Sequence, residues 1–276
     1  MIDRGCHNIL GVNINAVDYD AAVAKIVDAA NQRTPLGVSA LAVHGVMTGV
    51  TDDIHRHRLN SLELIVPDGQ PVRWALNFLH ATQLEDRVYG PDLMLKTCEA
   101  AAEAQIPIFL FGGKQELLDA LQTKLLTKFP SLKIAGTMAS RFRTVSEREK
   151  QEIVQTILES GAAITMVGLG CPRQEVWAYE FKNQLNMPVL AVGAAFNFHA
   201  GQLAQAPPNL QKYGLEWAFR LYKEPKRLWQ RYLILNPYYL YLLFLQSTGL
   251  KKFDPESTII PPVSYTHLTL PTIYSV

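Results

Sequence analysis

Cysteine is scarce in this sequence, and its few cysteines form no pattern. Cys6, Cys98 and Cys171 are spread over 276 residues. Three widely spaced cysteines argue against a disulfide framework and against a cysteine zinc site. The composition therefore favours a protein that folds in a reducing compartment such as the cytosol.

An excess of charge of one sign is also missing, as are long hydrophobic runs. A formal net charge of +1 gives no overall field that would attract nucleic acid. The longest apolar stretch, residues 232–245, contains Pro237 and is shorter than the roughly 20 residues of a spanning helix. Asp3 and Arg4 stand where a signal peptide would have its apolar region. We expect no nucleic-acid partner, no membrane span and no signal peptide.

Short apolar segments alternate with helix-compatible segments along most of the chain. This alternation is typical of a parallel sheet with helices on both faces, so the sequence predicts an α/β, Rossmann-like core over residues 1–206. Ser146, with Glu149 three residues later, predicts a capping box at one helix start. The predicted strands are residues 8–13, 38–43, 63–66, 108–112, 133–136, 164–168 and 189–193. The predicted helices are residues 20–32, 53–60, 70–78, 91–104, 114–128, 146–160 and 174–185.

The composition changes from about Pro207 onwards. Residues 207–252 are rich in aromatic and basic side chains and predict a helical appendage. Such a segment suits either the headgroup region of an anionic membrane or an aromatic core helix with a solvated basic face. Residues 253–276 have no helical period and resemble translated sequencing-adapter sequence. We expect them to be disordered, so that their removal leaves activity and thermal stability unchanged.

The most informative segment is an apolar run that ends in Gly168 and Gly170 and continues into a predicted helix. A glycine-rich turn between a strand and a helix can bind a phosphate, although a plain turn is the better interpretation for Gly-x-Gly alone. Arg173 occupies the position of the third glycine in the dinucleotide fingerprint. The sequence therefore disfavours hydride transfer to a nicotinamide cofactor.

No metal site emerges from the sequence. Asp18 and Asp20 form an Asp-x-Asp motif, but they lie at a predicted helix start, where capping explains them. His55 and His57 are two residues apart on a predicted helix and so face different sides.

Five motifs, taken together with their order and spacing, match those of a known family. They are Pro67–Gly69, Asp86–Leu93, Gly168–Glu175, Ala204–Pro207 and Gly214–Leu221. With these motifs the sequence resembles the WecG/TagA/CpsF family of bacterial glycosyltransferases. The resemblance implies inverting transfer of a sugar, N-acetylmannosamine in the best-known members, from a UDP-sugar to a polyprenyl-diphosphate-linked acceptor in surface polysaccharide biosynthesis. It also implies a cytoplasmic enzyme, peripheral on the inner face of the plasma membrane, that needs no cofactor and no Asp-x-Asp-bound metal.

The resemblance also assigns roles to single residues. Asp68, in a Pro-Asp-Gly turn after a predicted strand, is the expected general base; an ordinary turn residue is the alternative. The remaining members of the expected substrate-binding set match family motifs or recur at helical spacing on the appendage. They are Arg87, Arg173, Gln174, Arg220, Arg227 and Arg231. For Arg87 a surface ion pair with Asp92 is the alternative.

Two positions depart from the family pattern. His44 stands where many members have Thr-x-Asn, so it is a candidate for a polar role near the acceptor, with a buried structural histidine as the alternative. Asn197 stands where members usually carry Asp, which would alter the contact with the sugar. A nucleotide-sugar oxidoreductase or epimerase, or a non-catalytic membrane-surface scaffold, remains an alternative function. The sequence leaves the UDP-sugar, the acceptor and the oligomeric state open.

Overall fold

The computed structural model describes residues 1–141, 143 and 145–256, without the side chains of Pro208, Arg227, Gln230 and Arg231. The strands in this part of the chain are β1 (Asp3–Ile9), β2 (Val12–Val17), β3 (Leu36–Leu41), β4 (Leu64–Pro67), β5 (Ile108–Phe111), β6 (Ile134–Met138), β7 (Ile164–Val167) and β8 (Pro188–Ala191). The helices of the core are α1 (Tyr19–Gln32), α2 (Val43–Thr51), α3 (Asp53–Asn60), α4 (Gln70–His80), α5 (Gly90–Glu103), α6 (Gln115–Lys128), α7 (Glu147–Glu159), α8 (Arg173–Leu185) and α9 (Ala195–His199). The C-terminal helices are α10 (Pro208–Lys212), α11 (Glu216–Lys223), α12 (Pro225–Leu233) and α13 (Leu235–Ser247).

Six strands form one sheet, in the order β4-β3-β8-β7-β5-β6, and every neighbouring pair in it is parallel. Successive side chains of a strand point to opposite faces, and both faces of this sheet are covered. In β4, Leu64 and Val66 join the hydrophobic cluster on one face, while Ile65 joins the cluster on the other. The predicted α/β fold is confirmed. The capping box formed by Ser146 and Glu149 is present at the start of α7.

The first predicted strand, residues 8–13, was wrong. The chain turns there through Leu10 and Gly11, both with positive φ, so β1 and β2 form a separate antiparallel hairpin. The Asn15 side chain of β2 accepts a hydrogen bond from the Ile65 amide at 2.8 Å, which places the hairpin against the exposed edge of β4. The hairpin therefore covers an edge that would otherwise be open to other chains.

Helix α2 was missed because two glycines, Gly45 and Gly49, lower the helix propensity of its sequence. The structure shows why a small residue suits this site. A Cβ atom on Gly45 would lie 2.3 Å from Leu41 Cδ1. Close packing of α2 on β3 therefore overrides the local preference of the sequence.

The C-terminal segment 207–252 packs partly as core. Tyr239 and Leu242 of α13 are buried in the cluster that also contains the hairpin and α2. The Gln246 side chain accepts from the Leu10 amide at 3.0 Å and donates to the Asn8 carbonyl at 3.1 Å. Helix α13 is thereby fixed to the hairpin. Within the described residues, no helix is long and apolar enough to cross a membrane.

Residues 253–256, which the sequence assigned to the tail, contact the core. The Asn8 side chain donates to the carbonyl of Phe253 at 2.6 Å, and the Asn60 side chain donates to that of Pro255 at 2.7 Å. These contacts place residues 253–256 with the core rather than with the tail. The remainder of the predicted tail, residues 257–276, lies outside the described residues.

Candidate active site

Two adjoining cavities open where β3, β4, β7 and β8 end. Ligands of open α/β sheets bind at this edge, beyond the carboxyl ends of the strands. The larger cavity has a volume of about 710 Å³ and the smaller one about 80 Å³. Asp68, which follows β4, and Arg220, on α11, line both cavities. The core and the C-terminal helices thus form one continuous site.

The carboxyl group of Asp68 lies at the junction of the two cavities. Its Oδ1 accepts a hydrogen bond from the Gly90 amide at 2.6 Å, at the start of α5. Burial raises the pKa of Asp68 to about 6, against the lowering effects of the Arg87 charge and of the Gly90 amide. Such a group is still ionised at neutral pH, and it accepts a proton more readily than an ordinary aspartate does.

Arg87 does not form the surface ion pair considered as its alternative. It is 8% exposed, and its guanidinium donates to Glu216 Oε2 of α11 at 2.8 Å. The same guanidinium lies 4.2 Å from the centre of the Tyr89 ring, and the Tyr89 hydroxyl donates to Glu216 Oε1 at 3.0 Å. Burial lowers the pKa of Arg87, but the charges of Asp68 and Glu216 outweigh that effect and raise it overall. Arg87 therefore remains a cation and joins α11 to the core.

The glycine-rich turn after β7 lines the larger cavity. Gln174 lies behind this turn and is 4% exposed. Its Oε1 accepts from the Gly170 amide at 3.1 Å, and its Nε2 donates to the Ala191 carbonyl at 3.4 Å. Gln174 thus connects the turn after β7 to the end of β8. One amide of the expected phosphate-binding turn is already bonded to this side chain.

The other expected residues fall into three groups. Arg173 and Asn197 line the larger cavity, and Arg173 also donates to the Leu169 carbonyl at 3.1 Å. His44 is half-buried on α2 and lines the smaller cavity. The side chains of Arg227 and Arg231 lie outside the described part of the structure.

Two features of the site were missed from the sequence. Glu216 lies within one of the five motifs, yet nothing in the sequence pairs it with Arg87, 129 residues away. The second feature is a cluster beside the larger cavity, formed by His55, Cys171 and Glu175. The sequence spacing of His55 and His57 did not reveal this cluster, because Cys171 and Glu175 lie more than a hundred residues from His55.

Comparison with known proteins identifies the family of this chain. A family model described as the glycosyl transferase WecG/TagA/CpsF family matches residues 7–253. The N-acetylglucosaminyldiphosphoundecaprenol N-acetyl-beta-D-mannosaminyltransferase of Bacillus subtilis (strain 168) is 25% identical over 252 residues, which cover 91% of this chain and 94% of that protein. The match favours glycosyl transfer over the oxidoreductase, epimerase and scaffold alternatives. Because the family model spans the sheet, the two cavities and the C-terminal helices, the chain is a glycosyltransferase of the WecG/TagA/CpsF family.

Proposed function

We propose that this enzyme transfers an N-acetylmannosaminyl group from a UDP-sugar to a hydroxyl of a lipid-diphosphate-linked N-acetylglucosamine, with inversion at the anomeric carbon. The family assignment supports glycosyl transfer, and the activity of the Bacillus subtilis relative, as its name gives it, supports the sugar and the acceptor. The observation that carries the proposal is the position of Asp68 between a large and a small cavity. A single-displacement transfer needs its base at the point where donor and acceptor meet.

The larger cavity is the proposed donor site. Its volume of about 710 Å³ falls within the range of roughly 300–1,000 Å³ that is usual for small-molecule sites. Arg220 and Arg173 supply positive charge to it, and the N-terminus of α8 adds a favourable dipole. These groups would stabilise the negative charge that develops on the departing diphosphate.

The smaller cavity is the proposed site for the accepting sugar. His44 of α2 and Trp217 of α11 line it, with Asn236 of α13 and Asp68 completing the polar part of its wall. An aromatic ring beside a few polar groups suits the apolar face and the hydroxyls of a sugar ring. An acceptor hydroxyl placed there would reach the Asp68 carboxylate, which takes its proton as the oxygen attacks the anomeric carbon.

The C-terminal helices carry the proposed membrane contact. Tyr222 is 81% exposed, Trp229 of α12 46% and Leu233 57%. Lys223 and Lys226 lie on the same stretch and are exposed. Exposed aromatic side chains next to lysines suit the headgroup region of an anionic membrane, where a lipid-linked acceptor would be found.

Activity is tested with UDP-N-acetylmannosamine and a short-chain lipid diphosphate carrying N-acetylglucosamine. We expect transfer, with an anomeric configuration in the product opposite to that of the donor by NMR. The Asp68→Asn variant should lose roughly 10²–10⁴-fold in turnover while calorimetry shows that it still binds UDP. Near-normal turnover of this variant would remove Asp68 from the role of base.

Membrane binding is tested separately by co-sedimentation with vesicles. Tyr222→Ser combined with Trp229→Ser should reduce binding to anionic vesicles, whereas Leu158→Ser should not. Leu158 is a matched control, since it is 44% exposed and lies on α7 of the core. Equal binding of the native enzyme, the double variant and Leu158→Ser would contradict the proposed membrane contact. It would not affect the proposed role of Asp68.

A further inference from the structure

Three side chains with metal-binding groups meet beside the donor cavity. His55 comes from α3, Cys171 from the turn after β7 and Glu175 from the first turn of α8. One ring nitrogen of His55, the sulfur of Cys171 and one carboxylate oxygen of Glu175 all lie within 4.8 Å of one another. The cluster is separate from Asp68 and takes no part in the transfer described above.

Two of the three residues contain buried polar atoms without hydrogen bonds. Ser39 and Gln174 both donate to Glu175 Oε1, at 3.1 and 2.8 Å. Glu175 Oε2 forms no hydrogen bond with any described residue, and the same holds for His55 Nε2. Glu175 is 0% exposed and His55 is 2% exposed. Buried polar groups in native proteins are nearly always bonded, so two such atoms in one cluster leave places that a ligand could fill.

The chemistry of the three groups selects among ions. A thiolate, an imidazole and a carboxylate are the ligands of zinc and of similar transition metals, whereas magnesium and calcium prefer oxygen ligands alone. A tetrahedral zinc ion with bonds of roughly 2.0–2.3 Å holds its ligand atoms roughly 3.3–3.8 Å apart. The ligand atoms of the three side chains, which lie within 4.8 Å of one another, would therefore have to move together by at most roughly 1.5 Å to bind the ion.

We propose that His55, Cys171 and Glu175 form a binding site for a zinc-like divalent metal ion at the wall of the donor cavity. The two anionic ligands would balance the charge of the ion. Cys171 lines the larger cavity, so the fourth coordination position would face the space where we place the donor. The ion would join α3 to the start of α8 and so fix the glycine-rich turn between them.

The test uses the full chain, freed of metal by dialysis against a chelator and titrated with Co²⁺. We expect one Co²⁺ per chain, visible as the d–d bands of a tetrahedral site and as a thiolate-to-cobalt charge-transfer band. Zn²⁺ should displace the cobalt. Cys171→Ser should remove the charge-transfer band and weaken Zn²⁺ binding by at least about tenfold, the low end of what disturbing a metal site costs. Glu175→Gln should also weaken binding.

Matched controls come from the same residue types nearby. Cys6→Ser and His57→Gln should leave the cobalt spectrum unchanged, since Cys6 is exposed on β1 and His57 faces Tyr179. Absence of the charge-transfer band, or its persistence in Cys171→Ser, would overturn the proposal. A substitution of the buried His55 could prevent folding. Cys171 is only half-buried, so we expect Cys171→Ser to fold and to keep the test valid. The readout is independent of sugar transfer, so its failure is distinct from a failure of the proposed function.

Discussion

The pH dependence of turnover gives the sharpest test of Asp68 as the base. As the proposed base, Asp68 must be in its carboxylate form for turnover, and the pKa of this group is about 6. About 90% of the enzyme is then active at pH 7 and about 10% at pH 5, so kcat/KM should fall about tenfold over that range. An aspartate with an ordinary pKa of about 3.9 would remain more than about 90% ionised at pH 5, and the profile would be flat.

The assay measures release of UDP at constant ionic strength from pH 5 to pH 8, with circular dichroism to show that the enzyme stays folded throughout. The residual activity of Asp68→Asn serves as the control, since it has no carboxylate at this position to titrate. We expect the acidic fall in activity to disappear in that variant. A flat profile in the native enzyme would refute the reasoning, and so would the same fall in both proteins.

Three further perturbations test the structure around the site. Glu216→Ala removes the ion-pair partner of the buried Arg87 guanidinium, which keeps its hydrogen bond to Gln211 and the nearby charge of Asp68, so the free energy of unfolding should fall by up to roughly 3–5 kcal/mol, as measured by urea denaturation. Gly193→Ala places a Cβ 2.8 Å from Gln174 Oε1 at a φ of +53°, so UDP binding measured by calorimetry should weaken at least about tenfold. Truncation after Lys252 removes the packing of Phe253 and two carbonyls, of Phe253 and Pro255, that accept hydrogen bonds from the core. At roughly 1 kcal/mol per lost hydrogen bond, the melting temperature should fall by several degrees.

Each of these changes has a matched control in the same chain. Glu152→Ala breaks an exposed ion pair on α7 and should cost less than about 1 kcal/mol. Gly161→Ala meets a similar backbone strain, at a φ of +76°, with nothing within 4 Å of the new Cβ, and should leave UDP binding unchanged. Truncation after Glu256 should leave the melting temperature unchanged. If a variant and its control changed stability or UDP binding equally, the contact removed by that variant would not be the cause of the change.

The sheet could be predicted because its strands are short, apolar and buried on both faces. β4 shows this best, since Leu64, Ile65 and Val66 are all buried although they face opposite sides. The hairpin could not be predicted in the same way. Its turn contains Leu10, a residue that rarely adopts positive φ, and nothing nearby in the sequence indicates the edge that it covers.

The position of Asp68 at the edge of the sheet could be predicted, but its surroundings could not. A Pro-Asp-Gly turn after an apolar strand places Asp68 at the ligand-binding edge of an α/β sheet whatever its neighbours are. The pair formed by Arg87 and Glu216 depends on how α11 packs against the core. That packing depends on tertiary contacts over more than a hundred residues, which local propensity and spacing do not contain.

The same pair links the C-terminal helices to the chemistry of the base. The charge of Arg87 lowers the pKa of Asp68, and the charge of Glu216 raises it. Glu216 reaches this position only while α11 is packed on the core, where it also accepts hydrogen bonds from Arg87 and Tyr89. Helix α11 also carries Arg220, whose charge lowers the pKa of Asp68, so the helix brings two opposing charges to this carboxyl group. Docking of the C-terminal helices therefore does two things together: it completes the wall of both cavities and sets the balance of charge around the proposed base, Asp68.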